Sequence, residues 1–145
     1  MRVEISSAST EAINKKYKES ARKVTEYLAS KNCELVWGSG NSSIMGICYE
    51  SFLKYNCKMH GVTSFKYKDE IKDLPMADHE ICDDTLILKK HMFDKADMFL
   101  ILPGGTGTVS EFFTYLEEIR SNDSEKLLVV YDEYDHFKKV YWKKF

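Results

Sequence analysis

The chain has little that would break a fold and no cluster that would replace one. Two prolines and seven glycines in 145 residues exclude a collagen-like or low-complexity disordered chain. Its four cysteines, Cys33, Cys48, Cys57 and Cys82, are scattered and contain no C-x-x-C pair. His60, His79, His91 and His136 add no short-spaced ligands of the kind zinc takes, so no metal site is expected. A chain able to bury its own core needs no disulfide framework, and the thiols read as reduced and mostly buried. Residues 1–10 lack the apolar stretch of a signal peptide, and no later run approaches a membrane span. A cytoplasmic protein with no membrane partner is expected. A net charge of -2 offers no basic surface to a polyanion, which excludes nucleic acid as the expected partner. One small phosphorylated metabolite stays open, because a single phosphate needs only a local positive field.

What is present is enough for one core: 43% of the residues are hydrophobic and 30% charged. Residues 2–6 (RVEIS) form a short strand, followed by the small-polar cluster Ser6-Ser7-Ala8-Ser9-Thr10. Ile13, Tyr17, Ala21, Val24, Tyr27 and Leu28 then recur at helical spacing, with Thr10 or Ser9 as the expected cap. Residues 33–37 (CELVW) and 58–63 (KMHGVT) read as strands on either side of a helix over 43–55. Residues 64–83 are charged and irregular, an exposed connection with room for a short strand. A helix over 84–95 follows, capped by Asp83 or Asp84, with Leu86, Leu88, Met92 and Phe93 as its apolar positions. The continuous apolar runs 98–102 (MFLIL) and 127–131 (LLVVY) suit parallel strands covered on both faces. Helices are expected over 108–120 and 133–144. Alternating strands and helices imply parallel pairing with right-handed crossovers. The expected fold is α/β: one Rossmann-like three-layer domain over residues 1–145, nucleotide-binding, with a mainly parallel sheet of about five strands. So small a sheet leaves edges and one helical face to a partner chain.

Ligands of such sheets bind beyond the C-terminal strand ends, where strand order reverses. Two glycine-bearing loops fall at such ends. The sharper is the run 103–108, Pro-Gly-Gly-Thr-Gly-Thr, between the MFLIL strand and a helix. Gly104, Gly105 and Gly107 allow close backbone approach, Thr106 and Thr108 add hydroxyls, and the helix start offers unpaired N–H groups to an anion. A plain strand-to-helix turn requires none of the threonines. Glu111, three residues beyond Thr108, projects a carboxylate toward the same mouth. An acid beside an anion site is electrostatically costly, which makes its placement informative; an acid favouring the helix dipole is the plainer alternative. The second loop, residues 37–43 (WGSGNSS), runs into Ile44-Met45-Gly46. Gly38, Ser39, Gly40, Asn41 and Met45 can wrap a ribose or base. Neither G-x-G-x-x-G nor a Walker lysine occurs, which counts against a dinucleotide oxidoreductase and a nucleotide triphosphatase.

These motifs resemble those of the LOG ("Lonely Guy") family, often mislabelled as lysine decarboxylases. Residues 103–111 match the family pattern P-G-G-x-G-T-x-x-E completely. The family's G-G-G-x-x-G-L-M-G aligns without gaps with residues 38–46, here G-S-G-N-S-S-I-M-G. The resemblance implies hydrolysis of the N-glycosidic bond of a nucleoside 5'-monophosphate, an AMP-like small molecule, to free base and ribose 5-phosphate. It implies residues 104–108 as the phosphate loop, Glu111 as a catalytic carboxylate, no metal or organic cofactor, and a homodimer or higher homo-oligomer with its cleft near the subunit interface. The family's R-K-x-x-M signature falls on Leu88-Lys89-Lys90-His91-Met92. Lys89 and Met92 match, so Lys89 joins the expected catalytic set, but leucine stands where the family carries a catalytic arginine. Lys89 or Lys90 could stand in, though a lysine is a point charge and not a planar fork. The alternative is a nucleotide-binding or sensing domain that has lost catalysis with that arginine. A decarboxylase ranks below both, since so short a chain offers no convincing pyridoxal-phosphate site.

Overall fold

A computed structural model describes residues 1–141. Its strands are β1 (Arg2–Ser6), β2 (Glu34–Trp37), β3 (Met59–Ser64), β4 (Asp78–Cys82), β5 (Met98–Ile101) and β6 (Leu127–Val130). Its α-helices are α1 (Lys15–Ser30), α2 (Ser43–Lys54), α3 (Thr85–Lys95), α4 (Thr106–Ser121) and α5 (His136–Tyr141). All strands are parallel in the order β4-β3-β2-β1-β5-β6. The chain winds outward from β1 to β4, then returns to the other side of β1, so the strand order reverses between β1 and β5.

Strand alternation fills two separate cores. Val3 and Ile5 of β1, Leu35 and Trp37 of β2 and Leu100 of β5 turn to one face, against Tyr17, Ala21 and Leu28 of α1 and Ile44, Cys48 and Phe52 of α2. Val36, Val62, Phe99 and Ile101 turn to the other, against Met92 and Phe93 of α3 and Tyr115 of α4. Phe99 stacks between Phe93 (centroids 5.1 Å) and Tyr115 (4.5 Å), pairs worth about 0.5–1.5 kcal/mol each beyond their burial. The fold is thus the expected three-layer Rossmann-like α/β sandwich, its sheet parallel throughout.

Several details differ from the sequence reading, and β6, expected to be covered on both faces, is an edge strand with Leu127, Val129 and Val130 exposed. The sheet has six strands, because Asp78–Cys82 pairs with β3 along its whole length inside the charged connection. That edge strand carries Asp78, His79 and Glu80 in place of an apolar run. Asn14, not Thr10 or Ser9, caps α1, its side chain accepting from the Lys16 N–H at 3.0 Å. Leu86, expected on the buried face of α3, is 73% exposed. The last expected helix, 133–144, begins at His136, and residues 142–144 lie outside the described residues. Asp84 does cap α3, accepting from the N–H groups of Leu86 (2.6 Å) and Ile87 (3.2 Å). All four cysteines are free and buried.

Candidate functional site

The C-terminal ends of β1 and β5 are stitched together at the reversal point. Leu102 N–H donates to Ser6 O (2.9 Å), and Ala8 N–H donates to Pro103 O (3.1 Å). Ala8 O in turn accepts from Met45 N–H (3.1 Å), which fixes the second loop beside the first. Above this junction lies an open cleft of about 910 Å³.

α4 starts at Thr106, two residues before the sequence reading placed it, with Gly105 as its N-cap and no side chain capping it. The first turn therefore leaves the N–H groups of Thr106, Gly107 and Thr108 without intrahelical partners, at the mouth of the cleft. The glycines of this loop serve different ends. A Cβ at Gly104 would lie 2.1 Å from Thr108 Oγ1, so Gly104 makes room for the buried Thr108 side chain. A Cβ on Gly105 or Gly107 would meet nothing within 4 Å, so these two leave space on the cleft side. His136 Nε2 lies 3.0 Å from Gly104 O and holds the loop from behind.

The second loop is built differently. Ser39 and Ser43 both have positive φ (57° and 54°), and these are the two positions where serine replaces a glycine of the aligned motif. Ser39 Oγ bonds His79 Nδ1 at 2.9 Å, while the buried Ser43 Oγ has no partner. Gly46 is required by close approach: its Cβ would sit 2.5 Å from the backbone oxygen of Asn41.

Of the residues singled out from sequence, Gly105, Thr106, Gly107, Thr108, Glu111, Lys89, Gly38, Gly40 and Met45 line the cleft. Gly104, Ser39 and Asn41 are not among its lining residues. Gly104 lies behind Thr108, Ser39 faces His79, and Asn41 Nδ2 donates outward to Asp73 Oδ2 at 3.3 Å. Leu88 does line the cleft, so the arginine position of the family signature faces the same space. Sequence reasoning passed over Glu4 and Ser6 of β1, Ser7 just beyond it, and Thr63 and Ser64 of β3. Their signal was available, since β1 and β3 both end in hydroxyl residues at the C-terminal rim of the sheet.

Glu111 is half-buried, and its carboxyl is held above the usual range. Burial is the main cause, opposed by the nearby Ser6 hydroxyl and the positive charge of Lys89. Lys89 Nζ also donates to Ser110 Oγ at 2.5 Å, which keeps its ammonium at the α3–α4 rim of the cleft. A carboxylate, a lysine and unpaired amide donors thus share one space. Such a set can hold an anionic group at one end and meet developing cationic charge at the other. The fold also gathers Glu80, Cys82 and His91 to within 4.8 Å, a grouping hidden in the sequence order. There Lys95 Nζ already pairs with Glu80 at 3.1 Å.

A doubly wound parallel sheet, with a glycine–threonine loop opening a helix toward a cleft at the strand reversal, defines a Rossmann-like α/β protein. Residues 45–143 match the protein family described as "Possible lysine decarboxylase". The chain belongs to that family, the LOG family that its two loop motifs resemble. It is 31% identical over 126 residues to the "Cytokinin riboside 5'-monophosphate phosphoribohydrolase" of Mycobacterium tuberculosis, covering 82% of this chain and 64% of that protein. A "Probable cytokinin riboside 5'-monophosphate phosphoribohydrolase" of Oryza sativa is 31% identical over 94 residues, 64% of this chain and 42% of that protein. The chain therefore spans less than two thirds of the length of these relatives. Similar solved structures include the molybdenum cofactor binding protein of Rippkaea orientalis, with TM-score 0.68, 15% identity and coverage of 90% of this chain and 77% of that one. The molybdenum cofactor carrier protein of Chlamydomonas reinhardtii gives TM-score 0.66 and 12% identity, with coverage of 90% and 89%. At such identities the likeness is one of fold.

Proposed function

We propose that the chain hydrolyses the N-glycosidic bond of a nucleoside 5'-monophosphate, releasing free base and ribose 5-phosphate. The observation that carries this reading is the meeting of Glu111 with the unpaired N–H groups of Thr106, Gly107 and Thr108 at one cleft. The amides and the helix dipole receive the phosphate. Scission of an N-glycosidic bond passes through an oxocarbenium-like state, which the Glu111 carboxylate can stabilise while orienting the attacking water. The positive charge of Lys89 favours the ionised form of Glu111. Gly38, Gly40 and Met45 form the opposite wall, suited to the ribose or base, with Ser39 and Asn41 supporting it from outside. The relatives' printed names, which specify a riboside 5'-monophosphate, support the same reading.

The test is incubation with AMP and other nucleoside monophosphates, following free base by chromatography. Base release by the wild type and its loss in Glu111→Ala are expected. Leu88 gives a second reading its footing, because it lines the cleft where the family signature has arginine. On that reading the chain binds nucleotide without cleaving it, and tight AMP binding with no base release would select it. Leu88→Arg is expected to raise the rate of base release.

The same proposal includes a homo-oligomer. Leu86 and Ile87 of α3 and Phe113 and Leu116 of α4 are exposed, an apolar supply that a second copy could bury. Light scattering on the purified chain tests this, and a monomer at all concentrations would exclude it.

A further inference from the structure

The cleft has a carboxyl group behind it that the proposed chemistry leaves unused. Alternation along β1 sends Val3 and Ile5 into the α1–α2 core and turns Glu4 and Ser6 to the α3–α4 side. Glu4 is completely buried, at 0% exposure. Ser6 Oγ lies 3.0 Å from each of its carboxylate oxygens. Across from them, Glu111 and Tyr115 stand one turn apart on α4, on the same helix face. The Ser6 hydroxyl also lies within reach of the Glu111 carboxyl, and the Tyr115 hydroxyl, which donates to Met92 Sδ at 3.9 Å, lies within reach of Glu4. Glu4, Ser6 and Glu111 thus form a continuous polar line from the closed interior to the open cleft.

Charge along this line is unevenly balanced. From α4, Glu4 faces Glu111 and the phenol of Tyr115; from α2, the Cys48 thiol lies within the reach of its charge. From α3, Lys89 faces Glu111. Among the described residues no lysine, arginine or histidine pairs with Glu4. A buried carboxylate with no cation keeps its proton, and two carboxyls linked through one hydroxyl do not both ionise. The member nearer Lys89 and the cleft takes the charge.

We propose that Glu4 is a positioning residue of the reaction centre: a neutral carboxylic acid that donates through Ser6 and so keeps Glu111 as the ionised member of a one-proton pair. This rests on Glu111 being the reacting carboxylate. Burial, and next the charge of Glu111, hold the Glu4 carboxyl well above the usual range, consistent with that division of roles. Glu4 is not among the cleft-lining residues and acts only through Ser6.

Infrared spectroscopy of the intact protein at neutral pH tests the proton directly. A carboxylic-acid C=O band is expected that is lost in Glu4→Gln and retained in Glu111→Gln. Absence of the band, or its loss only in Glu111→Gln, would overturn the proposal. The pH profile of base release tests the consequence. Glu4→Ala should move the acid limb of kcat/KM up by about one pH unit, because the Ser6 hydroxyl facing Glu111 loses the acid proton that orients and polarises it. Glu4→Gln, whose amide still donates to Ser6, should bring the limb back toward its original position. If Glu4→Ala does not fold, Ser6→Ala cuts the same line and should give the same shift. An unmoved limb in the folded variant would overturn the proposal. A wild type that releases no base would overturn the catalytic reading of the cleft, and with it any positioning role for Glu4. The infrared band would still report where the proton sits, so the two failures are distinguishable.

Discussion

The two glycine loops at the cleft look alike in sequence and are built on opposite principles. In the 103–108 loop no glycine has positive φ, and Gly105 and Gly107 leave empty space where a ligand can approach. In the second motif, residues 38–46, the left-handed positions are filled by Ser39 and Ser43, Gly38 and Gly40 are crowded by Met45, and Gly46 by the Asn41 backbone. Gly105 and Gly107 of the first loop give access, while Gly104 and the glycines of the second motif make room for packing. A glycine in a motif therefore says that a Cβ is unwelcome, and only its neighbours say whether a ligand or the protein itself stands in the way.

Substitutions can break or sharpen this contrast. The largest effect expected on the access side belongs to Glu111→Ala, which should lower kcat for base release at least about 100-fold while the chain stays folded. Substituting alanine for one glycine in each motif should separate the two designs. Gly46→Ala drives a methyl to 2.5 Å from a backbone oxygen and should cost about 1–3 kcal/mol in denaturant unfolding. Gly107→Ala meets no atom within 4 Å and lies in the first turn of α4, so stability should hold or rise by about 0.5–1 kcal/mol. Its methyl should instead weaken AMP binding by calorimetry. Equal destabilisation by both alanines would erase the distinction. Ser43→Gly should stabilise by about 1 kcal/mol, relieving a left-handed serine and removing an unpartnered buried hydroxyl.

The smallest effect is one of pH. Glu4 holds its proton well above the ordinary value of 4.5, so the folded chain binds more protons than the unfolded one above that pH. Stability should then fall as pH rises from 4.5 toward the folded value. Glu4→Gln removes that slope, so its melting temperature should exceed the wild type's by a margin that widens with pH. Thermal melts across acid to mildly alkaline buffers check this.

Much of the fold was legible because both faces of the sheet are covered. The runs MFLIL and CELVW have few polar interruptions, and a helix follows or precedes each at the expected spacing. β4 was legible only as room for a short strand, because an edge strand is paired on one side only and tolerates Asp78, His79 and Glu80, which reads as a loop. Glu4 escaped for the converse reason: one acid inside RVEIS looks like noise in an apolar run until the pleat sends it to a different layer from Val3 and Ile5. The phosphate-loop candidates were legible because glycine, threonine and a helix start are local signals. Ser6 and Ser7 reach the cleft only through the pairing of β1 with β5, which no local pattern records.

Leu88 has a last consequence for how an anion is received. Among the described residues that line the cleft, Lys89 is the one cationic side chain. A phosphate there would be met by amide dipoles and a single ammonium, not by a cluster of mobile charges. Dissolved salt competes with charge clusters far more than with fixed amides. Nucleotide affinity in this protein should accordingly change little between dilute and physiological ionic strength, and restoring an arginine at position 88 would raise binding and salt sensitivity together.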